Sequence, residues 1–201
     1  MIAIVDYGAG NIFSVKNALE SLGIPCVLTD DPAEISNADK VILPGVGSFP
    51  SAMEALIKKN LTGILKKVAA EKPFLGICLG MQVLFDKGFE FAETEGLALI
   101  HGEVKKIPDS GLVIPHMGWN KLDVLIDTPI LPKNTENAFV YFVHSYAAAG
   151  VPAENLAATC SYGTDLTAFV WDGKYTYGTQ FHPEKSSDTG LLILKRFTEL
   201  S

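Results

Sequence analysis

The sequence is poor in everything that would staple, anchor or charge a surface. Its three cysteines, Cys26, Cys78 and Cys160, are odd in number, widely spaced and form no CxxC pair, which excludes a disulfide framework and the usual zinc spacings. No uncharged apolar run approaches the ~20 residues that span a bilayer. The opening MIAIVDYG has neither a basic stretch nor a long apolar core, so no membrane anchor or secretory leader is expected and the protein is read as cytoplasmic. Lys and Arg, 16 against 23 Asp and Glu, do not cluster and leave a net charge of -7. Binding a phosphate backbone needs concentrated positive charge, so nucleic acid is not an expected partner. No repeat, low-complexity tract or linker interrupts the 201 residues, of which 48% are hydrophobic. That is enough to bury a core without metal or disulfide, and a single domain over 1–201 with no metal or cofactor is expected.

What is present is an alternation. IAIV, PCVLT and KVILPG read as buried strands, and GNIFSVKNALESLG between the first two as a helix with Asn11 as N-cap and Gly23 as C-cap. DPAEISNA is a turn or short helix, and SFPSAMEALIKKNLTGILKKVAAEK is helical with breaks near Asn60 and Gly63. PFLGIC is a fourth strand, and LGMQVLFDKG the helix after it. Strands joined by helices of this length build right-handed βαβ units. The expected fold class is therefore α/β, a central, mostly parallel sheet with helices on both faces and its functional edge at the carboxyl ends of the strands. After about Gly96 the pattern turns strand-like, through LALIHGEVKKIP, WNKLDVL, AFVYFVHSYAA, LAATCSYG, LTAFVWDG and YTYGTQFHP, and a helix, SDTGLLILKRFTEL, closes the chain. These strands are expected to extend the same sheet.

The chemistry concentrates in KPFLGICLGMQVLF. Gly76 and Gly80 bracket Cys78 at the junction of a strand and a helix. A tight turn of that kind forces its central residue toward strained dihedrals, and glycines two residues away remove the resulting clashes. A cysteine so placed faces backbone N–H groups at a helix start, which favour thiolate over thiol, and the N–H of Leu79 faces any oxyanion formed on an attacked carbonyl. The competing reading is a buried structural cysteine, common for free thiols. Cys26 and Cys160 lack flanking glycines and are assigned to the core.

A thiolate nucleophile needs an imidazole, and the imidazole an acceptor on its other nitrogen. Of four histidines only His182, in FHPEKSS, has a carboxylate two residues on, in Glu184. Residues two apart in an extended segment project to one side, so the two can meet. His101 is expected to be structural or exposed. His116 and His144 lie among aromatics and are candidates for substrate or partner contacts. The LPGVGSF loop, in which Pro44, Gly45, Val46 and Gly47 follow a strand, offers backbone N–H groups just past the strand end for an oxyanion or carboxylate, unless it is an ordinary βα turn. Gln82, four residues after Cys78, shares its helix face and can bind an amide or carboxylate group of a small substrate, unless it is an ordinary polar residue of the helix.

GICLGMQ and FHPEKSS together resemble the class I (triad) glutamine amidotransferases. DYGAGN, LPGVGSF, PHMGWN and YFVHSY resemble one branch of that family, the one serving histidine biosynthesis, and the likeness runs over nearly the whole chain. The resemblance implies a flavodoxin-like domain that hydrolyses glutamine to glutamate and ammonia, with Cys78, His182 and Glu184 as its triad. It further implies that Val46, Gly47 and Leu79 supply oxyanion and backbone contacts, and that Gln82, His144, Ser145 and Tyr146 line the glutamine pocket. The partner implied is a separate (β/α)8 barrel cyclase that consumes the ammonia, in a heterodimer. Aromatic, glycine-rich GAGN and PHMGWN, which the triad does not need, supply the expected interface set: Asn11, Met117, Trp119 and Asn120, with Lys185. A glutaminase of another pathway, a free-standing cysteine hydrolase active without a partner, and a non-catalytic interaction module with an unreactive Cys78 are the alternatives.

Overall fold

The computed structural model describes residues 1–8, 11–135 and 137–201; Ala9 and Gly10, the middle of the GAGN segment, lie outside the described residues. The first half alternates as expected. Strands β1 (Ile2–Val5), β2 (Cys26–Thr29), β3 (Lys40–Gly45) and β4 (Phe74–Cys78) are separated by α1 (Ile12–Ser21), α2 (Pro32–Asn37), and the pair α3 (Phe49–Lys58) and α4 (Thr62–Glu71). A short α5 (Leu79–Gln82) follows β4. Then come β5 (Lys87–Gly88), β6 (Thr94–Glu95), β7 (Glu103–Lys106), β8 (His116–Lys121), β9 (Asp123–Val124), β10 (Phe139–His144), β11 (Tyr146–Ala149), β12 (Leu156–Ser161), β13 (Asp165–Trp171) and β14 (Thr176–Thr179). A 3-10 turn at Pro183–Lys185 leads into the closing α6 (Ser187–Glu199). Among the described residues no helix is long and apolar enough to cross a membrane.

The main sheet runs β2-β1-β3-β4-β14-β13-β12-β9, parallel from β2 to β14 and antiparallel beyond. Successive side chains of its central strands go to opposite faces. Ile4, Ile42, Leu75 and Ile77 join Val15 and Leu19 of α1 and Leu194 and Phe197 of α6 in one core; Val5, Val41, Leu43 and Phe74 join Ile35 of α2, Leu56 of α3 and Leu65 of α4 in the other. Burial on both faces explains why β1 and β4 are apolar throughout rather than alternating.

The structure corrects several expectations. The run LGMQVLFDKG is helical for one turn only, because the next loop takes the carbonyls a longer helix would use: Leu97, Leu99, Ala98 and Gly96 donate to the carbonyls of Val83, Leu84, Phe85 and Asp86. Asn60 does break the α3–α4 run, with φ of 55°, but Gly63 lies inside α4. Asn11 stands at the N-cap of α1 without a side-chain capping bond, and the C-cap is Leu22 rather than Gly23, which follows it with φ of +73°. Only Glu103–Lys106 of LALIHGEVKKIP is strand. AFVYFVHSYAA divides at Ser145, β10 pairing with β8 in a two-stranded sheet and β11 joining β7, β5 and β6 in a four-stranded one. The second half therefore extends the main sheet only through β9, β12, β13 and β14.

Candidate active site

Cys78 ends β4 with φ of 55° and ψ of -110°, a conformation that costs a non-glycine residue on the order of 1–3 kcal/mol. Its surroundings enforce it. A Cβ on Gly76 would fall 2.6 Å from the Gly80 carbonyl oxygen, and one on Gly80 would fall 1.8 Å from that of Leu43, so the turn fits only with glycine at both positions. Because α5 is a single turn, it offers the N–H groups of its start rather than a long helix dipole. Tyr7, of the DYGAGN segment, packs beneath the elbow with its hydroxyl buried and without a hydrogen-bond partner among the described residues, and burial, reinforced by Cys78, pushes its pKa up. A Cβ on Gly45 would meet that hydroxyl at 2.5 Å.

Strand register assembles the rest. Gly45 pairs with Cys78 across β3 and β4, so Val46 and Gly47 leave β3 beside the thiol, with Gly47 at φ of +108°. Thr179 pairs with Ile77 across β14 and β4, which brings Gln180 level with Cys78 and His182 just past it. His182 is tied to β10 by its N–H, which donates to the Tyr141 carbonyl at 3.0 Å. The Ser186 hydroxyl donates to the His182 carbonyl and accepts from the Tyr141 N–H.

His182 Nδ1 lies 2.8 Å from Glu184 Oε1 with both side chains buried. They meet because the chain turns into the 3-10 segment after an extended His182, not across a continuous extended run. Burial alone would lower the His182 pKa, but hydrogen bonding and charge from Cys78 and Glu184 outweigh it and push the value up to about 10. Among the described residues the other ring nitrogen, Nε2, is buried without a hydrogen-bond partner at ordinary geometry, as is Glu184 Oε2. An unpaired buried nitrogen beside a thiol is where a transferred proton can be held.

Cys78, Leu79, Val46, Gly47, Gln82 and His182 line one cavity of about 330 Å³ together with His144, Ser145 and Tyr146, a volume suited to a small molecule. All the residues expected around the thiol are thus brought together. Gln82 donates through Nε2 to the Tyr146 carbonyl at 2.9 Å and to Gln180 Oε1 at 3.0 Å, leaving its own oxygen for a ligand. Two residues were missed by sequence reasoning. Gln180, fully buried, donates to Cys78 Sγ at 3.8 Å and so links Gln82 to the thiol; its place one strand position beyond Thr179 becomes legible only with the β4–β14 register. Glu90 is the one carboxylate among the lining residues, with Oε2 accepting from the Phe49 N–H at 2.8 Å.

Away from the cavity, His101 is exposed, and His116 is fully buried, stacked between Phe142 and Tyr162, rather than facing a ligand. Cys160 is buried and Cys26 partly so. Met117 and Trp119 are exposed, at 60% and 51%, on the β8–β10 sheet with Phe139, while Asn11 and Lys185 are also exposed. Asn120 is engaged inward, its amide bonded to His116 and to the Ser161 carbonyl. No group of three or more metal-ligating side chains occurs among the described residues.

A family model described as glutamine amidotransferase class-I matches residues 3–199. The chain is 48% identical to the imidazole glycerol phosphate synthase subunit HisH of Bacillus licheniformis over 207 aligned residues, covering 100% of this chain and 97% of that protein. The subunits of the same description from Oceanobacillus iheyensis (47%, covering 100% and 99%) and Methanosarcina acetivorans (48%, covering 99% and 98%) match over similar lengths. Among solved structures, PurLQS from Thermotoga maritima superposes with a TM-score of 0.76 at 19% identity, covering 98% of this chain and 97% of that one. A structure described as a glutamine amidotransferase superposes at 0.74 and 18%, covering 98% of each chain. At those identities the superpositions bear on the fold alone.

Proposed function

The chain belongs to the class-I glutamine amidotransferase family, and from that premise we propose that it is the glutaminase subunit of an imidazole glycerol phosphate synthase, releasing ammonia from glutamine for histidine biosynthesis. The observation that carries the reading is the convergence, in one small cavity, of a strained cysteine and a histidine backed by a buried carboxylate.

In this reading Cys78 and His182 form a thiolate–imidazolium pair, and Glu184 fixes the ring through Nδ1. Sγ attacks the side-chain amide carbon of glutamine. The carbonyl electrons move onto oxygen, which the N–H groups of Leu79 and of the Val46–Gly47 loop stabilise. His182 gives its proton to the departing nitrogen, the C–N bond breaks, and ammonia leaves a γ-glutamyl thioester. Water then adds with His182 as base, the C–S bond breaks, and glutamate departs with the thiolate restored. Gln82 holds the substrate through its free oxygen, and Glu90 suits the α-ammonium group.

The relatives' names describe a synthase subunit, and ammonia released into water near neutral pH becomes non-nucleophilic ammonium. Direct transfer to a partner subunit avoids that loss, and the partner we propose, as the family resemblance implies, is a (β/α)8 barrel cyclase in a heterodimer. The β8–β10 face, with Met117, Trp119 and Phe139 exposed and Tyr141 against Trp119 at 6.0 Å, suits docking of that partner. Its strand β10 also carries the carbonyl that anchors His182. Glutamate release from glutamine, assayed with and without the barrel subunit and with Cys78→Ala as the blank, tests the proposal. Turnover in the complex and none in the blank is expected; turnover equal in the blank would overturn it.

A further inference from the structure

Behind the cavity wall, three hydrogen-bond contacts call for more protons than two neutral imidazoles hold. His144 Nδ1 stands 2.8 Å from the Tyr146 carbonyl oxygen, His144 Nε2 stands 2.9 Å from His116 Nδ1, and His116 Nε2 stands 2.8 Å from Asn120 Oδ1. Both ends of this series are acceptors. The Tyr146 carbonyl cannot donate, and the Asn120 amide is oriented by its Nδ2, which donates to the Ser161 carbonyl at 3.1 Å. Reversing that amide would set two oxygens against each other. Each end therefore takes a proton from its own ring, and the contact between the rings takes one more. Satisfying all three contacts at once would therefore take three protons on two imidazoles, one above the neutral complement. Stacking of His116 on Phe142 at 4.7 Å and on Tyr162 at 4.1 Å prevents its ring from turning away.

Among the described residues, the cavity in front of this pair lacks a countercharge for an anionic group. None of its lining residues is Lys or Arg, its carboxylate is Glu90, and His182 is already engaged by Glu184. Glutamine, the substrate proposed above, carries an α-carboxylate as well as an α-ammonium. His144 lines the cavity and is joined to a second, fully buried ring. We propose that His116 and His144 take up one proton between them when the α-carboxylate of glutamine enters the cavity, and so supply its countercharge. Their ring nitrogens are all used within the protein, so they act through space as positioning residues.

The groups around the pair are His182 with Cys78 and Glu184 beside it, Glu90 among the residues that line the cavity, Tyr162 stacked on His116, and Tyr146, which pairs with Lys106 of β7 at the adjoining cavity. In the empty cavity burial lowers the pKa of His116, and burial with the charges of His116 and His182 lowers that of His144 to about 4. Near neutral pH the unliganded pair then holds two protons, and one contact of the three is without its hydrogen. An incoming carboxylate favours the third proton and completes the series.

The inference rests on the glutaminase reading, and calorimetry separates the two. Glutamine is titrated into the Cys78→Ala chain, assembled with the barrel subunit, near neutral pH in two buffers of different protonation enthalpy. The expected result is uptake of about one proton per glutamine bound. Uptake is absent with the α-amide of glutamine, which lacks the carboxylate, and absent in a further His116→Phe variant, which keeps the stacked ring. With Cys78 restored, His116→Phe raises KM for glutamine by about tenfold with kcat little changed. Glutamine binding without proton uptake overturns the inference and leaves the glutaminase reading standing, as does equal uptake with the α-amide or in His116→Phe. Failure to bind glutamine at all removes that reading and the inference with it. If His116→Phe does not fold, the comparison of glutamine with its α-amide decides alone.

Discussion

Gly80→Ala exchanges one hydrogen for a methyl where the cysteine elbow touches the neighbouring strand. The new Cβ falls 1.8 Å from the Leu43 carbonyl oxygen and 2.8 Å from its carbon. That carbonyl belongs to β3 in the interior of the sheet, where Leu43 is in register with Gly76 of β4, so it cannot swing aside as a flexible side chain would. Relief requires the β4–α5 turn to lift by roughly an ångström, and two readouts follow. Overpacking of this kind costs about 1–3 kcal/mol, and each kcal/mol lowers Tm by about 2–4 °C in a domain of this size. The same lift displaces Cys78 and the Leu79 N–H from the reacting carbonyl, where an error of ~1 Å costs on the order of 100-fold in rate. Gly63→Ala is the control: it sits in α4 with nothing within 4 Å of its Cβ, and should gain up to about 1 kcal/mol without altering turnover. Calorimetric melting and glutaminase turnover in the complex measure both. A Gly80→Ala variant with unaltered Tm and unaltered turnover would refute the account of the elbow.

Gln180→Leu keeps much of the side-chain volume while removing the donor to Cys78 Sγ and the acceptor of Gln82 Nε2. Glutaminase kcat/KM should fall by roughly tenfold or more, about the worth of one buried hydrogen bond, and an unchanged ratio would reduce Gln180 to packing. The His182 pKa, depressed by burial but raised further by Cys78 and Glu184, stands at about 10 against an ordinary 6.5. A raised value means that the stability it contributes is whole below about 6.5 and is lost as pH climbs through about 10. Melts across that window should show stability falling with pH, less steeply in Glu184→Gln; parallel curves for the two proteins would contradict the assignment. Trp119 is 51% exposed, so Trp119→Ala should shift the subunit's own stability by no more than about 0.5 kcal/mol. Affinity for the barrel subunit should drop about thirtyfold, the ~2 kcal/mol of an interface hot spot, and unchanged affinity in a binding titration would remove this face from the interface.

The parallel half of the fold was legible because its signals are local. Apolar runs doubly buried in the sheet, proline-led helix starts and a glycine-framed cysteine each state their structure within a few residues. The grouping of Cys78, His182 and Glu184, proposed as the triad, was legible for the same reason, since His182 and Glu184 are neighbours and the elbow announces Cys78. What escaped depends on pairing between distant segments. The helix expected at LGMQVLFDKG stops after Gln82 because backbone N–H groups from residues 96–99 claim its carbonyls, and no pattern inside the run records that. Ser145 separates two strands that join different sheets, although AFVYFVHSYAA is uniformly strand-like. Gln180 bonds to the thiol only because β14 lies parallel to β4, and Asn120, chosen for the aromatic character of its neighbours, spends its amide on His116 and Ser161.

The claim that Cys78 is the nucleophile is tested most directly by labelling the assembled complex with an electrophilic glutamine analogue and mapping the modified peptide. Burial, aided by Asp123 and Asp165, pushes the pKa of Cys160 up to about 12, and burial chiefly raises that of Cys26, so both thiols stay protonated near neutral pH. Cys78 alone has a histidine–carboxylate pair beside it and a cavity in front. The account predicts one adduct per chain, on Cys78, and protection by excess glutamine. An adduct on Cys26 or Cys160, or a Cys78 left unmodified, would contradict it.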